Sequence, residues 1–252
     1  MVFLRQLFRL VRILAVFAVS LLELILKRPH SRPERAAWLS RFCRRAVAVA
    51  HLHVTVEGPP PSHGALISNH LNYTDILVHA AVQPSVFVSK IEVRKIPMIG
   101  WISMMAGTLY VERGAGGSSE RAAEGMAKGF RDGLPVIFFP EGTTGSGEEK
   151  ALPFRTGLLA QSILADQPVT AAFLHYDVSE QDKQEGRSAM RDIHWGSNRP
   201  LAAHVLQQLA IRETYVRIRF ASEPISFSEE ARQDRKIAAV EAREAVLALS
   251  GE

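Results

Sequence analysis

The stretch ALISNHLNYTDILVHAAV, residues 65–82, joins an apolar run, a polar loop and a helical pattern. Residues 65–68 are apolar or small and lead into polar residues, which is typical of a buried strand. Thr74 and Asp75 favour the start of a helix, and we expect Thr74 to be its N-cap residue. The stretch therefore predicts a strand–loop–helix unit whose polar loop follows the carboxyl end of the strand.

The same alternation of short apolar runs and helical patterns continues to the end of the chain. Further strands are predicted at 85–89, 108–112, 135–139, 169–176 and 214–221, and a closing helix is predicted at 228–249. Strands that alternate with helices form a largely parallel sheet covered by helices. We therefore predict an α/β fold with a mixed, largely parallel sheet flanked by helices, and ligands bind beyond the carboxyl ends of such strands.

Composition and charge exclude several classes of protein. The chain has 252 residues, of which 47% are hydrophobic, and a single cysteine excludes an internal disulfide framework and a cysteine-based zinc site. Residues 1–45 contain ten Lys or Arg and two acidic residues, whereas the remainder contains twenty basic and twenty-four acidic residues. A nucleic-acid-binding domain usually carries its basic patch on the folded part. We therefore expect no nucleic-acid partner.

The N-terminal basic charge accompanies apolar residues. Arg5, Arg9 and Arg12 follow each other at helical spacing and predict one cationic helix face. The apolar run 13–26 would span about 21 Å as a helix, less than the roughly 30 Å of a bilayer core. We expect a membrane-embedded amphipathic helix in or on the cytoplasmic leaflet. A spanning helix and a core helix remain the alternatives.

A second basic helix is predicted at 34–52, after the prolines at 29 and 33, and it was a candidate for the same membrane surface. Residues 1–50 are therefore predicted to be basic amphipathic or membrane helices. Residues 51–252 are predicted to form the catalytic domain, which would lie on the cytoplasmic face of the inner membrane.

His70 and Asp75 are the first candidate site residues. His70 follows the predicted strand, and Asp75 lies five residues later at the helix start, from where it can turn back towards the ring. A carboxylate on one ring nitrogen fixes the tautomer and leaves the other nitrogen as a base. An aspartate at a helix start beside an ordinary loop histidine has the same spacing, so spacing alone does not decide. No G-x-S-x-G nucleophile elbow and no H-E-x-x-H zinc motif is present. The base would then act on a substrate hydroxyl, without a metal.

Two other regions carry candidate binding groups. Residues 135–144 run from an apolar strand into a glycine turn, where backbone N–H groups and hydroxyls could hold a polar head group or an oxyanion. Lys90 and Arg113 each follow a predicted strand, and arginine is a suitable bidentate phosphate ligand. An ordinary turn and solvated surface charges explain the same residues more simply when each region is taken alone.

Taken together, four ordered motifs resemble the glycerolipid acyltransferases, which include the 1-acyl-glycerol-3-phosphate acyltransferases. They are NHLNYTD (69–75), GTLYVERG (107–114), FPEGTT (139–144) and VTAAFLHY (169–176). The resemblance implies that His70 is the general base and that Asp75 orients it. It also implies that acceptor phosphate or head group is bound by a set of residues comprising Lys90, Arg113, Glu141, Gly142 and Thr143.

The activity implied by this resemblance is membrane-bound transfer of a fatty acyl chain to the free hydroxyl of a lysolipid. The donor would be acyl-CoA or acyl carrier protein, acting as a co-substrate, and no cofactor is implied. The leading acceptor is a lysophospholipid, 1-acyl-glycerol-3-phosphate, which would give phosphatidic acid.

Two departures bear on the acceptor. The family's third motif often continues with arginine where this chain has Thr144, and alanines replace the usual proline of the fourth motif. The segments FPEGTTGSG and DRK (234–236) also resemble the lyso-ornithine-lipid acyltransferases. Lyso-ornithine lipid or another lysolipid is therefore the alternative acceptor, and a lipid-binding scaffold without turnover is the alternative of another class.

Overall fold

A computed structural model of the protein describes residues 2–112, 118–196 and 199–251. The strands are β1 (Leu52–Glu57), β2 (Ala65–Ser68), β3 (Val86–Lys90), β4 (Leu109–Val111), β5 (Val136–Phe138), β6 (Val169–Val178) and β7 (Thr214–Phe220). The helices are α1 (Val2–Lys27), α2 (Arg32–Val49), α3 (Thr74–Val82), α4 (Ile99–Met105), α5 (Ser118–Arg131), α6 (Gly157–Leu164), α7 (Glu180–Gln184), α8 (Leu201–Ala210), α9 (Glu229–Gln233) and α10 (Arg235–Ala248). A 3₁₀ turn (Ile91–Lys95) follows β3, and a π turn (Ala189–Ile193) precedes α8.

The strands form one mixed sheet in the order β1-β7-β6-β2-β5-β3-β4. Neighbouring strands are parallel except β6 and β7, which are antiparallel. The predicted α/β fold with a largely parallel sheet flanked by helices is therefore confirmed. Because β2, β5 and β3 are parallel neighbours, their carboxyl ends meet at one edge of the sheet.

Helices cover both faces of the sheet, and alternate strand residues face opposite layers. On β2 and β5, Leu66 and Ile137 pack in one cluster with α2, whereas Ile67 and Phe138 pack in the other. Residues of α6 and α10 belong to this second cluster. A strand buried on both faces needs a continuous apolar run, which explains why ALIS has no polar alternation.

Two local expectations are wrong, and one strand was missed. The helix α3 begins at Thr74 with Tyr73 as its N-cap residue, so Thr74 is not the cap. The predicted closing helix is two helices that meet at Asp234, whose carboxylate accepts from the backbone N–H of Lys236 and caps α10. Strand β1 was not predicted, because its residues are mostly half-buried or exposed and it lies at the sheet edge.

Helix α1 has the opposite polarity to a helix on the surface of a soluble protein. Its buried residues include Arg9, Ser20 and Glu23. Its exposed face carries large apolar side chains, namely Phe3, Leu4, Leu7, Phe8, Leu10, Val11, Leu14, Val19, Leu21, Leu22, Ile25 and Leu26. None of the helices in the described part of the chain has an apolar stretch long enough to cross a membrane.

Helix α2 differs from the expectation that it lies on a membrane surface. Trp38, Phe42 and Cys43 are almost fully buried in the cluster that includes sheet residues. Two of its arginines reach α1, where Glu23 accepts from Arg41 at 2.5 Å and from Arg45 at 2.9 Å. The helix is therefore internal, because its aromatic face packs on the domain and these two charges are paired with α1.

Candidate active site

The loop between β2 and α3 brings His70 and Asp75 into contact. The ring Nδ1–H of His70 donates to Asp75 Oδ2 at 2.8 Å. The Asp75 side chain is fully buried, whereas 15% of the His70 side chain is exposed. The His70 ring also stacks on Phe139, with 4.0 Å between ring centroids. Because Asp75 occupies Nδ1, Nε2 is the nitrogen that can act as a base.

The buried carboxylate of Asp75 is surrounded by donors. Besides His70, Oδ2 accepts from the backbone N–H groups of Leu71 at 2.7 Å and Asn72 at 3.0 Å. The other oxygen, Oδ1, accepts from the hydroxyl of Tyr176 at 2.6 Å. Such donors stabilise an ionised carboxylate that has no contact with water. The sequence interpretation of Asp75 as a simple helix cap does not describe this arrangement.

Glu141 holds the loop between β2 and α3 by a hydrogen bond to the loop backbone. Its Oε1 accepts from the backbone N–H of His70 at 2.7 Å, and its Oε2 accepts from that of Leu152 at 3.1 Å. Only 3% of Glu141 is exposed. Burial raises the pKa of this carboxyl to about 7, although the two backbone donors oppose the shift. In this structure Glu141 contacts the backbone of the loop between β2 and α3 (residues 69–73), so a direct head-group contact stays a prediction.

Gly142 and Thr143 form the turn after β5. Gly142 has a φ of +68°, a conformation that favours glycine, and its N–H donates to the carbonyl of Phe139 at 3.0 Å. The N–H of Gly142 is therefore already bonded within the turn. It gives no support to the expectation that a backbone donor at this position stabilises an oxyanion. Thr143 is half-buried beside it.

Lys90, one of the two predicted phosphate ligands, lies farther along the sheet edge. Lys90 is half-buried at the carboxyl end of β3, and in the parallel register it is paired with Val111 of β4. Arg113 lies outside the described residues. The structure therefore brings His70, Asp75 and Glu141 into one hydrogen-bonded group and places Lys90 on the same edge of the sheet.

Comparison with known proteins identifies the family. The family model named Acyltransferase matches residues 52–174. A lyso-ornithine lipid O-acyltransferase of Rhodobacter capsulatus is 34% identical over 202 residues, which are 77% of this chain and 69% of that protein. The chain belongs to the acyltransferase family. The family and the enzyme class predicted from the motif order are thereby confirmed.

Three further comparisons place this acyltransferase among its relatives. A 1-acyl-sn-glycerol-3-phosphate acyltransferase of Neisseria gonorrhoeae is 32% identical over 59% of this chain and 58% of that protein. A lyso-ornithine lipid O-acyltransferase of Pseudomonas aeruginosa is 37% identical over 54% of this chain and 52% of that protein. The chain thus spans only about half of the length of these two relatives.

The crystal structure of the 1-acyl-sn-glycerophosphate acyltransferase from Thermotoga maritima covers 100% of this chain and 99% of its own, with a TM-score of 0.62 at 20% identity. At that identity the match shows the fold.

Sequence reasoning missed the residues that hold the catalytic loop of the acyltransferase against β6. The side chain of Asn69 accepts from the N–H of Leu174 at 2.7 Å and donates to its carbonyl at 2.9 Å. Asn69 directly precedes His70, so its place in the motif was a usable signal. Tyr176 ends the fourth motif, but nothing in that motif indicates a contact with Asp75, which lies 101 residues away along the chain.

Residues at and after the π turn also bind the loop between β2 and α3. The side chain of Asn72 donates to the carbonyl of Ile193, and the N–H of Trp195 donates to the carbonyl of Leu71 at 2.8 Å. The hydroxyl of Tyr73 donates to Gln208 Oε1 on α8 at 2.6 Å. The catalytic loop of the acyltransferase is therefore held by its own strand and helix, by β6 and by the region from the π turn to α8.

Proposed function

We propose that this acyltransferase moves a fatty acyl chain from an acyl thioester to the free hydroxyl of a lysolipid. The observation that carries the proposal is the contact between the partly exposed His70 ring and the fully buried Asp75 carboxylate. Within the described residues, no serine, threonine or cysteine side chain hydrogen-bonds to the His70 ring. The arrangement therefore favours direct attack by the acceptor over an acyl-enzyme intermediate.

The chemistry follows from the free ring nitrogen. Nε2 of His70 takes the proton from the acceptor hydroxyl while that oxygen forms a bond to the thioester carbonyl carbon. Asp75 stabilises the imidazolium that results. When the tetrahedral intermediate collapses, the carbon–sulfur bond breaks and the thiolate of coenzyme A or acyl carrier protein leaves with the proton from His70. A base of this kind contributes about 10² to 10⁴ in rate.

For the acceptor, 1-acyl-glycerol-3-phosphate is the first candidate. The support is a relative from Neisseria gonorrhoeae that is named for this substrate. Lys90, at the sheet edge that carries His70, and Arg113, which follows β4 in the sequence, would bind its phosphate.

Lyso-ornithine lipid is the second candidate, and two observations favour it. Relatives from Rhodobacter capsulatus and Pseudomonas aeruginosa are named for this acceptor. In addition, Thr144 stands where a phosphate-binding arginine would be expected. The head group of this lipid carries no phosphate, so it does not require that arginine.

Incubation of the full chain in membranes with radiolabelled acyl-CoA and a panel of lysolipids tests the proposal. We expect labelled diacyl product with one of the two candidate acceptors, and a fall of at least about 100-fold for His70→Ala. Substantial transfer by His70→Ala would overturn the mechanism. A scaffold would give no labelled product with any acceptor, and a lipid hydrolase would give free fatty acid.

Lys90→Met separates the two acceptors in the same assay. If phosphate is the recognised group, we expect KM for 1-acyl-glycerol-3-phosphate to rise at least about tenfold with a smaller change in kcat, since one charge-assisted contact is lost. If Lys90→Met has the same KM as wild type for each of the two acceptors, Lys90 does not recognise phosphate.

We also propose that the exposed apolar face of α1 lies in the cytoplasmic leaflet of the inner membrane. The support is the inverted polarity of this helix, because water does not favour so long a row of exposed leucines and phenylalanines. A lysolipid acceptor would then reach the site from the same leaflet, with its acyl chain still in the bilayer.

A further inference from the structure

The hydrogen-bond donors around Asp75 are divided unequally between its two oxygens. Three donors meet at Oδ2, namely the ring of His70 and the backbone N–H groups of Leu71 and Asn72. At Oδ1, the hydroxyl of Tyr176 is the only donor found within the described residues, at 2.6 Å. One of the two oxygens of the buried carboxylate therefore depends on a single hydroxyl, which belongs to a residue 101 positions away in the sequence.

Tyr176 is rigidly placed for this contact. It lies on β6, between β2 and β7 in the middle of the sheet, and it is only 3% exposed. Its hydroxyl also lies 3.3 Å from Oγ1 of Thr74, and its ring meets that of His194 edge-on. Burial and the neighbouring Asp75 charge raise the pKa of the Tyr176 phenol well above its usual value, so the group remains a protonated donor.

We propose that Tyr176 is a positioning residue that sets the proton affinity of the catalytic base through Asp75. Its hydroxyl donates to Oδ1 and thereby orients Oδ2 towards Nδ1–H of His70. This inference rests on the proposed function, in which His70 takes a proton from the acceptor hydroxyl.

Removal of the hydroxyl changes the titration of the pair in a defined direction. In Tyr176→Phe, Oδ1 would remain buried without its donor, which is costly for a charged oxygen. The pair of Asp75 and His70 would then bind a proton at a higher pH, whether the proton resides on the carboxyl or on the imidazole. The active form needs a neutral ring and an ionised carboxylate, so the acid limb of activity must move to higher pH. Glu141, which accepts from the backbone N–H of His70 and whose pKa burial raises to about 7, is present in wild type and in every variant, so the difference between variants reports the pair.

The test compares Tyr176→Phe with Tyr73→Phe in the full chain, using the acceptor that the lysolipid panel identifies. Both variants lose one hydroxyl beside the same loop, but the hydroxyl of Tyr73 binds Gln208 and not Asp75. For Tyr176→Phe we expect kcat near neutral pH to fall at least about tenfold, KM to stay within about twofold, and the acid limb to rise by about one pH unit. For Tyr73→Phe we expect the acid limb to stay in place.

Two results would overturn the inference. One is a uniform loss of kcat at every pH for Tyr176→Phe, which a purely structural role would give. The other is an equal shift of the acid limb for Tyr73→Phe. If His70→Ala is inactive while Tyr176→Phe shows no shift, this inference fails and the proposed mechanism stands. If His70→Ala retains activity, the mechanism itself fails.

A second variant covers the case in which Tyr176→Phe does not fold. Incorporation of 3-fluorotyrosine at position 176 keeps the shape of the side chain and strengthens the phenol as a donor. We expect the acid limb to move to lower pH, because the carboxylate is better stabilised. An unmoved acid limb in this folded variant would contradict the inference.

Discussion

At the scale of single residues, buried polar groups near the catalytic loop fall into two kinds. Asp75 is fully buried and meets four donors. His79, one turn later on α3, is 1% exposed, and neither ring nitrogen has a hydrogen-bond partner among the described residues. It packs edge-on against Phe139 and Phe220. His79 therefore behaves as a neutral packing residue with a desolvation cost.

The stability of the protein should depend on His79 in acid. Burial lowers the pKa of His79 from 6.5 to about 4. Between these pH values the unfolded chain binds more protons than the folded one, so the contribution of His79 to stability falls as the pH falls. We expect His79→Leu to become more stable relative to wild type by about 2 kcal/mol between pH 7.5 and pH 5.

Urea unfolding of wild type and His79→Leu at both pH values measures this difference. The variant and wild type must be compared at the same pH, because Glu141 also makes the free energy of unfolding depend on pH. Burial raises the pKa of Glu141 to about 7, so its contribution changes with pH in the direction opposite to that of His79. The exposed His63 provides the control, and His63→Gln should track wild type at both pH values. A constant gap between His79→Leu and wild type would contradict the expected titration.

At the scale of elements, α1 is attached to the domain by its polar side. The guanidinium of Arg9 donates to the carbonyls of Leu209, Ile211 and Arg212 at the end of α8, and Arg5 donates to that of Ala210. The last carbonyls of a helix have no partner within the helix. The arginines of α1 supply those partners and complement the negative end of the α8 dipole.

Arg9 should matter far more to stability than Arg12, although both lie on the same helix. Arg9 is 3% exposed, whereas Arg12 lies over the ring of Phe8 at 5.5 Å. Arg9→Met removes charge-assisted hydrogen bonds to buried carbonyls, and we expect the free energy of unfolding to fall by about 2 to 3 kcal/mol. Chemical denaturation of the two variants measures this, and Arg12→Met should stay within about 0.5 kcal/mol of wild type. Equal losses would show that Arg9 does not anchor α1.

At the scale of the whole molecule, the two faces of the sheet have different roles. The face covered by α2 and α3 carries the catalytic loop and, beyond it, α1 with its apolar outer side. The opposite face is covered by α6 and α10. The geometry allows one side of the molecule to meet lipid while the other faces water.

Loss of apolar side chains from α1 should therefore weaken binding to bilayers. Leu4 and Leu22 are 66% and 55% exposed on α1, and Leu164 is 77% exposed on α6. We expect Leu4→Asp with Leu22→Asp to reduce the bound fraction in flotation with phosphatidylethanolamine and phosphatidylglycerol vesicles at least about tenfold, since two leucine side chains would no longer enter the bilayer. Leu164→Asp, on the opposite side of the sheet, is the control and should bind as wild type does. Equal binding by all three proteins would contradict the assignment of this face.

Local sequence was sufficient for most elements of this fold. Residues 65–68 were predicted with the bounds that the structure shows, because burial on both faces requires an unbroken apolar run. The helix α3 was predicted from its polar start, although its N-cap is Tyr73 and not Thr74. The contact of His70 with Asp75 could also be anticipated, since five residues of loop separate them. The motif order was sufficient for the family.

Contacts between distant segments were decided only by the tertiary structure. The position of α2 inside the domain depends on which partner its aromatic face meets, and helical periodicity does not specify a partner. The buried side of α1 accommodates Arg9 and Glu23 beside Val16, because α8 and α2 offer carbonyls and arginines that no local pattern reveals. Tyr176 reaches Asp75 because β6 lies beside β2 in the sheet. Sequence determined which groups can react, and the sheet determined which groups hold them in place.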